Sequence, residues 1–283
     1  MTPDTAFITH APRDLAAWTA LFEHADLPVL ATTAEALAEL AANEDAVDAH
    51  MLADAIVDDP LMTLKVLAHV AQLRRGREGS DTETVTEALV MLGIPPFFHA
   101  FAAQPVVEDL QADQPAARAG FRRVLRRARR AARFSMGFAV HRMDHDATVL
   151  HEAALLHDFA ELLLWLRAPA LAMVIEDRLL ADPTLRSAAV QREVLHIELE
   201  ELEHALMQKW HLPALLVQIS DGHARHATAQ LRNVQLALRV ARHSALDWDN
   251  PALPDDLQEI SALLNIAPDA AERLLRDIDA EDG

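Results

Sequence analysis

Residues 154–164 read ALLHDFAELLL, an apolar run interrupted only by the adjacent His157 and Asp158 and by Glu161. Leucine and alanine are strong helix formers, and Leu155, Asp158 and Leu162 fall on one face at helical spacing. The run predicts one helix over about 147–166 with an acid on its buried face. Such a carboxylate needs a partner. His157 and Asp158 lie about 100° apart on a helix, so both could reach one ion from the helix edge, and a divalent metal would discharge the acid. The alternative is a histidine bonded to a backbone carbonyl and an aspartate held by an arginine. The dipeptide alone leaves both open.

Outward from this run the chain continues as helices. Proline and capping residues divide the first half into short segments of about 34–42, 45–57, 60–74, 84–92 and 96–103, with a Gly-containing loop over 76–81. Thr32 with Glu35 and Thr84 with Glu87 fit capping boxes, Asp59-Pro60 fits an N-cap followed by proline, and Gly93 fits a C-terminal stop. The second half reads as longer helices over about 115–141, 147–166, 187–210, 213–226 and 228–245, with Pro169, Pro183 and Pro213 near the junctions. Two short helices, about 254–264 and 267–278, follow. An all-α fold is expected, because Gly numbers 7 and Tyr 0 in 283 residues rich in Ala and Leu.

Charge and composition exclude several functions. The net charge is −19, from 25 basic and 44 acidic residues, which argues against general nucleic-acid binding, where phosphates need a basic face. The acidity sits at the ends: residues 1–60 hold 12 acids and one Arg, residues 247–283 hold 11 acids and two Arg, and the middle carries 22 bases against 21 acids. There is no cysteine, hence no disulfide, thiolate metal site or cysteine nucleophile. No apolar run approaches the roughly 20 residues that cross a bilayer, and no basic-then-apolar leader opens the chain, so a cytoplasmic protein without membrane insertion is expected.

Several motifs in order raise the specificity of the central dipeptide. ALLHDFAELLL, then Trp210-His211-Leu212-Pro213, then His223, resembles the HDOD domain, a helical relative of the HD-type metal-dependent phosphohydrolases. Leu27-Pro28, IVDDPLMTLKVL (56–67) and VTEALVMLGI (85–94) are similar to that domain's opening helices, and LALRVARHSALDWDNPALPDDL (236–257) to the helical extension of some bacterial members. The resemblance implies an N-terminal segment over 1–25, an HDOD domain over 26–226 and a C-terminal helical extension over 227–283. Within the domain, a short-helix subdomain (26–112) would pack on an HD-like bundle (113–226).

Active HD hydrolases, as the resemblance implies, draw metal ligands from several helices. In this chain the leading His position falls on Arg127, a further His position on Leu199, the paired histidines reduce to His223 followed by Ala224, and the closing Asp falls on Arg242. His157, Asp158 and His223 remain. Arginine stays protonated and opposes a divalent ion, so a metal-free HD remnant is expected, without cofactor, with Arg127 pairing Asp158 in place of the metal. The implied role is a non-catalytic module of bacterial signal transduction that binds a protein partner or a nucleotide ligand. The competing expectation is a residual phosphohydrolase or phosphodiesterase in which His157, Asp158 and His223 hold one ion.

Residues 118–133 carry eight arginines, among them Arg122, Arg123, Arg126 and Arg130. They could bind an anionic ligand or an acidic partner surface, or pair with the acidic ends of the same protein. His141, His145 and His151, with Asp144 and Asp146, read as exposed loop histidines beside a helix capped by Asp146. His204, His211 and His226 read as surface residues, Glu198, Glu200, Glu201 and Glu203 as a charged helix face, and Trp18, Trp165, Trp210 and Trp248 as core anchors.

Overall fold

The computed structural model describes residues 7–74, 82–182, 184–220 and 228–280. Its regular structure is α-helical, without a strand among the described residues, as composition led us to expect. The chain forms two units, one of residues 1–124 and 158–213, the other of residues 125–157 and 214–283.

The first unit opens with α1 (Leu15–Phe22), a helix the punctuation did not reveal. Asp14 caps it by accepting from Ala17 N–H at 2.9 Å. Trp18 is fully buried, stacks on Phe22 and donates its indole N–H to the Leu195 carbonyl at 2.9 Å. The polar end of a buried indole is thereby satisfied.

α2 (Ala31–Ala41) starts earlier than expected, and Thr32 and Glu35 do not cap it. Distant carboxylates replace the local cap: Asp59 Oδ2 accepts from Leu30 N–H at 2.8 Å and Glu108 Oε2 from Ala31 N–H at 2.9 Å. The segment expected over 45–57 is a 3₁₀ turn (Glu44–Ala46) followed by α3 (Ala49–Ile56), because Asp48 caps a new helix through Met51 N–H.

α4 (Pro60–Arg74) and α5 (Val85–Leu92) begin at the caps read from the sequence. Asp59 Oδ1 accepts from Leu61 and Met62 N–H at 2.9 and 3.0 Å, and Thr84 accepts from Glu87 N–H at 3.2 Å. Glu87 returns its carboxylate to Glu83 N–H, one residue before the cap. Gly93 ends α5 at φ +82°, a conformation that favours glycine, and α6 (Ile94–Phe101) follows at once. After α7 (Val107–Leu110) begins the 28-residue α8 (Pro115–Arg142). Gly120 on α8 meets Trp165, and a Cβ there would lie 2.5 Å from the indole ring.

The remaining helices of this unit are α10 (Phe159–Arg167), α11 (Pro169–Ala181), α12 (Ser187–Leu195) and α13 (Leu199–Lys209). The single helix expected over 187–210 breaks at His196, which takes φ +65°, and a capping box of Glu198 and Glu201 starts α13.

The second unit combines the C-terminal part of α8 with α9 (Ala147–Leu156), α14 (Ala214–Ser220), α15 (Ala229–His243), α16 (Leu253–Leu264) and α17 (Pro268–Ala280). Its core holds a closed polar network. Ser135 Oγ donates to the Leu150 carbonyl or Asn233 Oδ1, and Asn233 donates to the Ser135 carbonyl, all buried. Fully buried Asp256 on α16 accepts from Arg239 Nη2 at 2.5 Å and is paired with His243 Nδ1 at 2.5 Å, both on α15. Asp146 does not cap α9 through its side chain, which accepts from Gln230 instead. His151 is buried within α9, whereas His141 and His145 are exposed. Trp248 is half-buried rather than a core anchor, with Arg276 over its ring at 4.9 Å.

Candidate functional site at the α9–α10 turn

His157 and Asp158 do not share a helix. His157 closes α9 in αR conformation and Asp158 opens α10 at φ −103°, ψ 19°, where its carbonyl accepts from Glu161 and Leu162 N–H at 3.1 and 3.2 Å. The helix-edge geometry and the common face of Leu155, Asp158 and Leu162 are therefore replaced by a turn. The flanks explain its position. Residues 149–156 are all buried, as are 159–166 except Glu161, and the chain turns at the polar pair between them. Both side chains are half-buried there.

Asp158 shares its unit with a group that sequence reasoning missed. Glu203 lies on the inward stripe of α13 with Leu199, Leu202, Leu206 and Met207, and is itself 5% exposed. Burial pushes its carboxyl well above the usual range, and the nearby charges of Asp158 and Glu200 push it further in the same direction. Read with the other glutamates as a solvated face, Glu203 is instead a buried acid whose neutral form burial favours. The signal was present. Glu203 follows Leu199 by four residues and Leu202 by one, at the spacing of an inward position.

A neutral acid in the fold costs stability once it must ionise. Below its unfolded-state pKa the carboxyl is protonated in both states, and the contribution of the neutral form is fully present. It is lost as pH rises from there through the raised folded-state value. Glu203→Gln keeps shape and neutrality, so the variant should gain on the wild type by about 1 kcal/mol between acid and neutral pH. Urea unfolding at a series of pH values checks this, and parallel curves would refute it.

The other positions singled out in the sequence lie on different helices. Arg127 is half-buried on α8, Leu199 is buried and apolar at the start of α13, and Arg242 is exposed on α15. His223 lies outside the described residues. Among the described residues no group of three or more His, Asp or Glu could hold a metal ion.

The arginines of α8 divide by exposure. Arg122, Arg123 and Arg126 are exposed. Arg123 lies over the Trp165 ring at 5.9 Å and pairs with Glu176. Arg130 is buried, and its guanidinium donates to both Asp279 carboxylate oxygens at 2.7 and 2.9 Å, to Ser244 Oγ, and to the carbonyls of Ala241 and Ser244. This is the pairing with the acidic C-terminal end that the charge distribution allowed. A bidentate pair at a buried arginine ties α17 to α8. No helix is long and apolar enough to cross a membrane among the described residues.

Comparison with known proteins places this architecture. The HDOD domain matches residues 27–226, and no curated protein matches the chain. Among solved structures, the MmoQ response regulator of Methylococcus capsulatus str. Bath is similar at TM-score 0.66 and 22% identity, covering 88% of this chain and 98% of that one. A virulence factor of Campylobacter jejuni subsp. jejuni aligns at TM-score 0.62 and 18% identity, over 88% and 89% of the two chains. An HDOD domain protein of unknown function from Geobacter sulfurreducens aligns at 0.50 and 16%, over 94% and 95%. The all-α architecture, the His-Asp turn and the ordered motifs around it belong together: this chain is a member of the HDOD domain family.

Proposed function

We propose that the protein is a non-catalytic regulatory module of bacterial signal transduction that acts by binding, through a protein partner or a nucleotide ligand. The observation that carries this reading is the set of residue types at the positions that the family resemblance assigns to metal ligands. Positions where an HD hydrolase would hold ligands carry a guanidinium at Arg127, a buried alkyl group at Leu199 and an exposed guanidinium at Arg242. None of these donates to a divalent cation at working pH. Burial pushes the carboxyl of Glu203, in the same unit as Asp158, well above its usual range, which disfavours its anionic form. The resemblance to a solved response regulator agrees with a signalling role. Exposed Arg122, Arg123 and Arg126 offer guanidinium forks suited to phosphates or carboxylates.

Hydrolysis of bis(p-nitrophenyl) phosphate in the presence of Mn²⁺ is the test. No turnover above buffer is expected for the wild type, and Asp158→Ala should be indistinguishable from it. Mn²⁺-dependent turnover lost in Asp158→Ala would establish the hydrolase in which His157, Asp158 and His223 hold an ion.

A further inference from the structure

The packed pair α3 and α5 presents apolar side chains to solvent among the described residues. On α3 and its last turn Met51 is 42% and Val57 43% exposed, and on α5 Val90 is 66% and Met91 43% exposed. They are not scattered. Met51 and Asp54 are three residues apart on α3, while Glu87, Val90 and Met91 follow one another at i, i+3 and i+4 on α5, so each helix shows one outward face on which methionine or valine adjoins a carboxylate. Asp48, Asp54, Glu83 and Glu87 are all exposed around them.

Charge decides what such a surface accepts. Residues 26–101 hold 13 acids against four basic residues. Lys65 is occupied by Asp26, Gln104 and the Leu27 carbonyl. Neither α3 nor α5 carries a lysine or arginine. A field of that sign repels nucleic acid and anionic lipid and attracts cations. Two packed helices present ridges and a shallow groove suited to a third helix, and an amphipathic helix docks through apolar anchors at i, i+3, i+4 and i+7.

We propose that the α3–α5 face is a docking surface for a cationic amphipathic helix of a partner protein, its apolar stripe seated on Met51, Val57, Val90 and Met91 and its Lys or Arg flanks on the surrounding carboxylates. This names the protein-partner form of the binding role and rests on that reading. Met51 and Val90 supply the apolar contact, whereas Asp54 and Glu87 supply steering and salt dependence.

The test uses the full chain and a fluorescein-labelled amphipathic peptide of leucine and lysine, about 18 residues long, or five helical turns. Anisotropy titrations should give micromolar binding that weakens with salt, at least about tenfold tighter than a scrambled peptide of equal composition. Met51→Lys/Val90→Lys should lose at least about tenfold with an unchanged thermal midpoint, and hydrogen exchange should slow over 49–57 and 85–92 when peptide is added. Equal affinity for the two peptides, an unaffected double variant, or protection confined to another acidic region would overturn the proposal. Self-association of the free protein abolished by the double variant would overturn it too, since the occupant would be a second copy. The phosphodiester assay is independent: turnover there removes the non-catalytic reading while peptide binding at this face still stands or falls alone.

Discussion

Asp59→Ala is expected to lower the stability of the unit that contains it by about 3–4 kcal/mol. One carboxylate satisfies three backbone donors in two helices: Leu30 N–H before α2, and Leu61 and Met62 N–H in the first turn of α4. Asp59 is buried, and burial pushes its carboxyl up while these bonds and one from Thr33 pull it down. Losing a helix cap alone costs about 1 kcal/mol, and each buried donor left without a partner adds about 1–3 kcal/mol. Asp59→Asn retains one oxygen acceptor and should lose less than the alanine variant. Urea midpoints of both variants check the order, and an alanine variant within about 0.5 kcal/mol of wild type would contradict the account.

Gly120→Ala should cost about 2 kcal/mol net, although alanine is the better helix former by about 1 kcal/mol. The added Cβ would stand 2.5 Å from Cε2, Cζ2 and Cη2 of Trp165. That ring is buried on α10, whose neighbouring residues are buried with it, so it has little room to withdraw. Gly137 is the control on the same helix. A Cβ there meets Ile278 Cδ1 at 2.4 Å, the free end of a flexible side chain, and rotation of that isoleucine should hold the cost below about 1 kcal/mol. Trp165→Leu should cost less in the Gly120→Ala background than in wild type, where it leaves a cavity. A thermal-melt cycle of the four proteins measures this coupling, and strictly additive shifts would refute the close approach.

These two residues differ in how they could be read from sequence. Asp59-Pro60 announced its local role, because an N-cap followed by proline is written in adjacent letters, and Thr84 and Gly93 are of the same kind. The bond from Asp59 to Leu30 spans 29 positions, and no local pattern carries it. The misplaced start of α2 has that cause: Thr32 and Glu35 have capping chemistry, but the end of the helix is set by Asp59 and Glu108 from elsewhere in the fold. Gly120 gave no sign at all, since its reason is an indole 45 residues away.

The candidate site was legible as a place and illegible as a geometry. The polar pair in an apolar run marked residues 157 and 158, yet helical periodicity is alike on both sides and neither glycine nor proline announces the turn. The same ambiguity joined α12 to α13, where His196 adopts a left-handed conformation that glycine or asparagine more often signals. Glu203 was hidden by its company. Four glutamates in six residues suggest a solvated face, and only the phase of Leu199, Leu202 and Leu206 separates the buried acid from its exposed neighbours. Arg130 was equally hidden among eight arginines, since its burial depends on Asp279 and Ser244 in the distant C-terminal helices.

A metal-free remnant of an HD site makes one demand that elemental analysis answers directly. Protein purified without chelators from cells supplied with manganese, iron and zinc should carry each metal far below one ion per chain, and Asp158→Ala should leave that content unchanged. One equivalent of any of these metals in the wild type, lost on Asp158→Ala, would contradict the account.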